Sequence, residues 1–373
     1  MKKLGFGLMR LPLLDPNDDG AVDVKQAKQM VDLFMEKGFT YFDTAIMYNG
    51  CQSQRVVKEA LVDRYPRVSF TLATKLHNAF FHTLEERDKV FNEQLEQTGA
   101  GYFDYYLIHG IEAGSYPQYE ELDCFNWLLD KKAQGLVKHA GFSFHDTPEL
   151  LDEILTRHPE MEFVQLQINY LDWESEWIQS RGVYEMARKH NQPVIVMEPV
   201  KGGTLAKVPA EAEALLKARE PKLSVPSWAI RFAASLPGVM MVLSGMSNVA
   251  QMEDNLSFME DFQPLTEEER ALTLQVAKII NAQIAVPCTG CSYCTEGCPM
   301  QIPIPKYFSL YNDIMREDME EKGWTIGFSY YDALAERFGK ARDCIECGQC
   351  EGVCPQHLPI IEKLKDVSAR FDH

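Results

Sequence analysis

The chain has 373 residues, 46% of them hydrophobic, and a formal net charge of −18. That length exceeds one small domain and suits one large barrel with an appendage. The acidic balance argues against nucleic acid and anionic membrane surfaces as partners. No run of eighteen apolar residues offers a span, and the first ten residues lack the apolar core of a signal peptide.

In chain order, a short strand pair is predicted first, Leu4 to Met9 and Leu11 to Leu14. The text then alternates. Helical periodicity over Val24 to Lys37 precedes a strand from Thr40, and a helix over Ser53 to Asp63 precedes Phe70 to Lys75. Leu84 to Gln97 precedes Phe103 to His109, Tyr119 to Gln134 precedes His139 to Ser143, and Pro148 to Arg157 precedes Phe163 to Asn169. Gly182 to His190 precedes Pro193 to Glu198, Ser227 to Ala234 precedes Val239 to Ser244, and a helix over Val249 to Phe258 follows. Eight strand candidates alternating with helices predict a parallel α/β protein. The count, and the lack of a Gly-x-Gly-x-x-Gly turn after the first strand, favour a closed (β/α)8 TIM barrel over an open dinucleotide-binding sheet. A last barrel helix is read over Thr266 to Ala282. The domain boundary falls near 284, giving a barrel over 1–283 and a cysteine-rich domain over 284–373.

Several predicted strands end on a residue that can hold or move a proton: Asp43, with Tyr48 five residues on, then Lys75, His109 and Ser143. Barrels keep their chemistry at those ends. A phenol is a poor acid at neutral pH, and a neighbouring ammonium held by a carboxylate is expected to lower its pKa. An imidazole beside it would orient a carbonyl oxygen. The four together would polarise an aldehyde or ketone and protonate its oxygen as hydride arrives at carbon.

Phe42-Asp43-Thr44-Ala45 with Tyr48, and Leu107-Ile108-His109, resemble the signatures of the aldo/keto reductases over about residues 1 to 282. The resemblance implies Asp43, Tyr48, Lys75 and His109 as a catalytic tetrad and NAD(P)H as cofactor. It also implies Ser143 and Gln165 on the carboxamide, although the family's Asn after the Ser is Phe144 here. Gly202 and Gly203 would pass the pyrophosphate. Ser244, Gly245, Met246 and Ser247, then Gln251, Asp254 and Asn255, would take the adenosine phosphate and adenine. The stacking aromatic is replaced by Met197, and the Lys or Arg for the 2′-phosphate by Ser247, which leaves NADP versus NAD open.

Of ten cysteines, those in the tail form Cys288-x2-Cys291-x2-Cys294-x3-Cys298-Pro299 and Cys344-x2-Cys347-x2-Cys350-x3-Cys354-Pro355. In a long chain without a leader, such cysteines read as ligands in a reducing cytoplasm. Three closely spaced thiolates wrap one iron–sulfur cubane and the fourth, before proline, reaches a second. Zinc is the rival, but it leaves the triple spacing unexplained. The pair of motifs resembles ferredoxins with two [4Fe–4S] clusters. That likeness implies Cys288, Cys291, Cys294 and Cys354 on one cluster, and Cys344, Cys347, Cys350 and Cys298 on the other. Helices are predicted over Ile304 to Glu320 and Tyr331 to Phe338, as in a helical dicluster arrangement. Cys124 is read as buried in a helix, Cys51 as a possible pocket residue, and Trp173 and Trp177 as packing or rim residues.

Two functions follow. One is NAD(P)H-dependent carbonyl/alcohol interconversion with an iron–sulfur domain attached. The other is an electron-transfer or docking protein whose barrel is only a scaffold. A hydride carries two electrons and each cluster takes one, so a redox partner protein or a flavin is a possible further participant.

Overall fold

The computed structural model describes residues 2–175, 178–282, 284–316, 331, 332 and 334–372. Eight parallel strands close into a barrel in sequence order: β1 (Leu4–Gly7), β2 (Tyr41–Asp43), β3 (Thr71–His77), β4 (Phe103–Ile111), β5 (Val137–Phe144), β6 (Phe163–Gln167), β7 (Val194–Met197) and β8 (Val239–Gly245). Closure is completed by β1 pairing with both β2 and β8, with Phe6 opposite Phe42 on one side and Ser244 on the other.

The barrel interior is packed rather than hollow, around Tyr41, Ala73, Leu107, Phe163, Ile195, Met241 and Leu243. Large inward side chains require small ones opposite. A Cβ on Gly141 would stand 2.5 Å from the Phe163 carbonyl oxygen, and one on Gly5 would stand 2.7 Å from Leu243. A second, larger apolar layer lies between the strands and the surrounding helices. Those helices begin where their sequences say they should. Asp23, Thr83, Thr147 and Ser224 each accept from a backbone N–H of the first turn, and Thr266 forms a capping box with Glu269.

Some expectations are corrected. Leu11 to Leu14 is no strand: β1 pairs inside the barrel instead, and only a single antiparallel bridge, Leu13 to Val22, remains. The helix expected over Ser53 to Asp63 changes to a π-helix at Lys58–Val62. The one expected over Tyr119 to Gln134 breaks at Asp123, which adopts φ 49° and lets the chain restart as Cys124–Ala133. A helix at Ala210–Arg219 is additional. Cys124 is buried and Cys51 exposed. Trp177 and residues 317–320 of the expected Ile304 to Glu320 helix lie outside the described residues, as does position 333 of the Tyr331 to Phe338 reading.

Beyond the barrel the chain builds a separate small core from Val286, Ile302, Tyr307, Phe308, Tyr331 and the helix Ile360–Phe371. This region sits on the barrel mouth. Arg10 donates to the Thr289 carbonyl at 3.1 Å, and Gln167 and Gln356 bond each other. A Cβ on Gly202 would stand 1.8 Å from the Thr289 oxygen, so only glycine permits that approach. Among the described residues no helix is long and apolar enough to cross a membrane.

Candidate active site

Short strands deliver the proton-handling groups. β2 ends at Asp43, and the chain then turns into a short helical segment beginning at Tyr48. That turn is anchored from two sides. Thr44 bonds Ser53 at 2.8 Å, and the Gly50 N–H donates to the Asp19 carboxylate at 2.9 Å, with Gly50 at φ 55°. Lys75 of β3 donates to Asp43 at 2.5 Å and to the Thr44 carbonyl at 2.8 Å. Its ammonium lies 4.8 Å from the centre of the Tyr48 ring. The Tyr48 and His109 rings meet edge to face at 6.1 Å. His109 is fixed from behind, since its carbonyl accepts from the buried Tyr119 hydroxyl at 2.6 Å.

The electrostatics correct one expectation. Burial pushes the Tyr48 phenol well above its ordinary pKa, and the charges of Asp43 and Glu198 push the same way. Lys75 does not reverse this, because its charge is matched by Asp43 at 2.5 Å. Burial likewise lowers Lys75, against the pull of Asp43, and raises Asp43, against the pull of Lys75. His109 is held well below its usual range by burial, then by His77, Lys75 and His145. The arrangement at neutral pH is therefore a protonated phenol beside a neutral imidazole.

All four groups line one cavity of about 310 Å³. Every residue expected at the cofactor lines it too: Ser143, Gln165, Met197, Gly202, Gly203, Ser244, Gly245, Met246, Ser247, Gln251, Asp254 and Asn255. Ser143 accepts from the Gly110 N–H at 2.7 Å, and the side-chain amide oxygen of Gln165 is buried with no partner among the described residues. An unpartnered buried acceptor suits a ligand that brings an N–H, as a carboxamide does. On the far side the helix Val249–Met259 starts from an Asn248 cap, and Gln251 accepts from the Ser247 N–H at 2.7 Å. Such a helix start favours a phosphate. Gly202 and Gly203 have φ 62° and 105°, the second a backbone conformation that glycine alone adopts readily.

The cysteines fall into two sets. Cys288, Cys291, Cys294 and Cys354 line one hollow, and Cys298, Cys344, Cys347 and Cys350 another. In each set three come from one motif and the fourth from the other. Burial, with the neighbouring Cys291 and Cys354 acting the same way, pushes the Cys288 thiol up to about 12. Four converging thiols of this kind fit a cationic metal centre, which would hold them as thiolates.

Residues 3–277 match the model of the aldo/keto reductase family. The chain belongs to that family.

Residues 287–358 of this aldo/keto reductase match the model of a 4Fe-4S dicluster domain. The chain is thus an oxidoreductase with an iron–sulfur region C-terminal to its barrel. It is 23% identical over 300 residues to an uncharacterised oxidoreductase, YqkF, of Bacillus subtilis, covering 72% of this chain and 90% of the other. It is 23% identical over 290 residues to L-galactose dehydrogenase of Arabidopsis thaliana, covering 72% and 88%. Among solved structures, the holo form of the aldo-keto reductase AKR11C1 from Bacillus halodurans superposes with a TM-score of 0.59 at 25% identity, covering 74% of this reductase and 92% of that chain.

The cavity also contains residues that the sequence did not announce. Gln167 is two positions beyond Gln165 on β6 and so on the same face, a signal that period-2 alternation could have supplied. Glu198 directly follows Met197 and has φ 55°. Arg10 enters from just beyond the end of β1. Thr289, Cys291, Tyr293 and Gln356 come from the iron–sulfur region, and no local pattern would have placed them over a barrel.

Proposed function

We propose that this reductase interconverts a small carbonyl compound and its alcohol with NAD(P)H held in the barrel mouth, and that its C-terminal region carries two [4Fe–4S] clusters. The observation that carries the reading is the convergence of Asp43, Tyr48, Lys75 and His109 on the same cavity as the whole expected nucleotide set. Ser143 and Gln165 would hold the carboxamide, Gly202 and Gly203 the pyrophosphate, and the Ser244–Ser247 loop with Gln251, Asp254 and Asn255 the adenosine end. NAD(P)H supplies the hydride when bound. Tyr48 holds the proton that the carbonyl oxygen receives, and its raised pKa keeps that proton in place across the physiological range. Neutral His109 orients the oxygen by a hydrogen bond, and Lys75 with Asp43 fixes the phenol's surroundings. In the C-terminal region Cys288, Cys291, Cys294 and Cys354 would ligate one cluster and the remaining four tail cysteines the other. Tail thiolates of this kind favour the reducing cytoplasm as the working compartment.

Tyr48→Phe tests the reading. Carbonyl reduction should fall at least about a hundredfold, the usual worth of a positioned acid, while NADH or NADPH titrates with unchanged affinity. Reduction at the wild-type rate would refute Tyr48 as the acid.

A further inference from the structure

The barrel cavity and the hollow of Cys288, Cys291, Cys294 and Cys354 are separated by a partition one residue thick. Thr289, Cys291 and Gln356 line both. Against this partition lies a buried ion pair that the reductase chemistry does not use. Lys201 donates to Asp172 at 2.5 Å, with the two side chains 2% and 5% exposed. The same ammonium donates to the Gln356 amide oxygen at 3.0 Å. Gln356 in turn donates to Gln167 at 2.8 Å and accepts from it at 3.0 Å. Gln356 stands two residues past Cys354, the ligand that reaches this hollow from the other motif, so the barrel grips the chain beside that ligand.

Two further observations single out Lys201. Its backbone adopts φ 48°, a conformation costly for a long side chain and kept where the surroundings demand it. Its ammonium also stands one side chain away from this hollow, bonded to the Gln356 amide that lines it. The second hollow has a cation close by in Lys365, but that side chain is exposed and paired with Glu346 rather than buried. Among the described residues lining it are Cys298, Cys344, Cys347 and Cys350 with apolar side chains and Gln349, and no cation. Asp172 neutralises the pair as a whole, but the ammonium is the end bonded to Gln356 and so the end turned toward this hollow.

We propose that Lys201 is a positioning residue of the inner metal site, holding the Cys354 segment through Gln356 and placing a buried positive charge beside one cluster and not the other. An iron–sulfur centre on four thiolates is a net anion and gains one more negative charge on reduction, so a fixed cation nearby favours the reduced form. This rests on the reading of both hollows as [4Fe–4S] sites.

The test is a redox titration of the full-length protein, kept anaerobic and followed by electron paramagnetic resonance, in the wild type, Lys201→Met and Lys201→Arg. In Lys201→Met one of the two cluster signals should shift to more negative potential and the other stay in place, and Lys201→Arg should titrate close to wild type. Two unmoved signals, or two that shift together, would overturn the proposal. Should Lys201→Met fail to fold, Gln356→Leu asks the same question while leaving the ion pair intact. About half of its iron should then reach a chelator at least tenfold faster than in the wild type, the scale seen when outer partners of metal ligands are removed, with the rest unchanged. Uniform wild-type release would overturn the proposal. Wild-type protein without acid-labile sulfide would refute the iron–sulfur reading itself, a result separate from either of these.

Discussion

Lys75 and Asp43 form an ion pair of 2.5 Å in which the side chains are 1% and 4% exposed. They come from neighbouring strands, and β2 and β3 pair in register through Tyr41–Thr71, Phe42–Leu72 and Asp43–Ala73, which brings their ends together at the barrel mouth. Such a pair is not a strong source of stability, because two desolvated charges nearly cancel the gain from their attraction. Breaking it is another matter.

Lys75→Met should lower unfolding stability by about 3–5 kcal/mol, the cost of leaving a buried carboxylate uncompensated. Lys75→Met with Asp43→Asn should recover most of that loss in urea denaturation and yet remain inactive in carbonyl reduction. Full activity in the double variant would show that the pair is a structural device only.

A second expectation concerns pH. Burial lowers His77 and His145 to about 4, and His109 well below its usual range. Each therefore stays neutral in the folded chain at pH values where the unfolded chain, with ordinary histidines near 6.5, binds a proton. The unfolded state holds more protons between about pH 6.5 and 4, so stability rises with pH through that window and falls as the solution is acidified. At pH 5 each of His77 and His145 should subtract up to about 2 kcal/mol relative to pH 7. Thermal unfolding of the wild type and His145→Gln at the two pH values checks this, and the variant should show the shallower loss.

The cysteine pairing makes its own prediction. With two [4Fe–4S] clusters, iron and acid-labile sulfide should each approach about eight per chain. Because Cys288 shares a hollow with Cys354 and not with Cys298, Cys288→Ala combined with Cys354→Ala should leave about four irons, whereas Cys288→Ala with Cys298→Ala should leave almost none. Equal losses in the two double variants would contradict the crossed arrangement.

The barrel was legible because its strands are short apolar runs alternating with helical periodicity, several of them with a polar residue at or near the end, a pattern that survives without any knowledge of partners. Asp43, Lys75 and His109 could be found for that reason. The breaks were harder. Asp123 at φ 49° interrupts what reads as one helix from Tyr119 to Gln134, since an aspartate gives no sign of a left-handed turn as a glycine would. Leu11 to Leu14 reads as a strand from its apolar composition, but Leu11 is 3% exposed without a ladder to join, and Leu14 is 73% exposed. The contact between the two regions was invisible for a different reason. Gln356, Thr289 and Tyr293 acquire their meaning from a surface more than a hundred residues earlier in the chain, and no periodicity records that. The direction of the Tyr48 shift was missed likewise: the sequence names the ammonium and the Asp43 carboxylate, but not the depth of burial or the second carboxylate, Glu198.

The crossed lining of the two hollows also sets an order on synthesis. Three ligands of the inner hollow emerge from the ribosome at Cys288, Cys291 and Cys294, but the fourth, Cys354, appears only when the chain is nearly finished, long after the barrel that grips Gln356 has been made. A message cut short between the codons of Cys294 and Cys354 yields a chain whose barrel is fully encoded and whose inner metal site has only three of its four ligands.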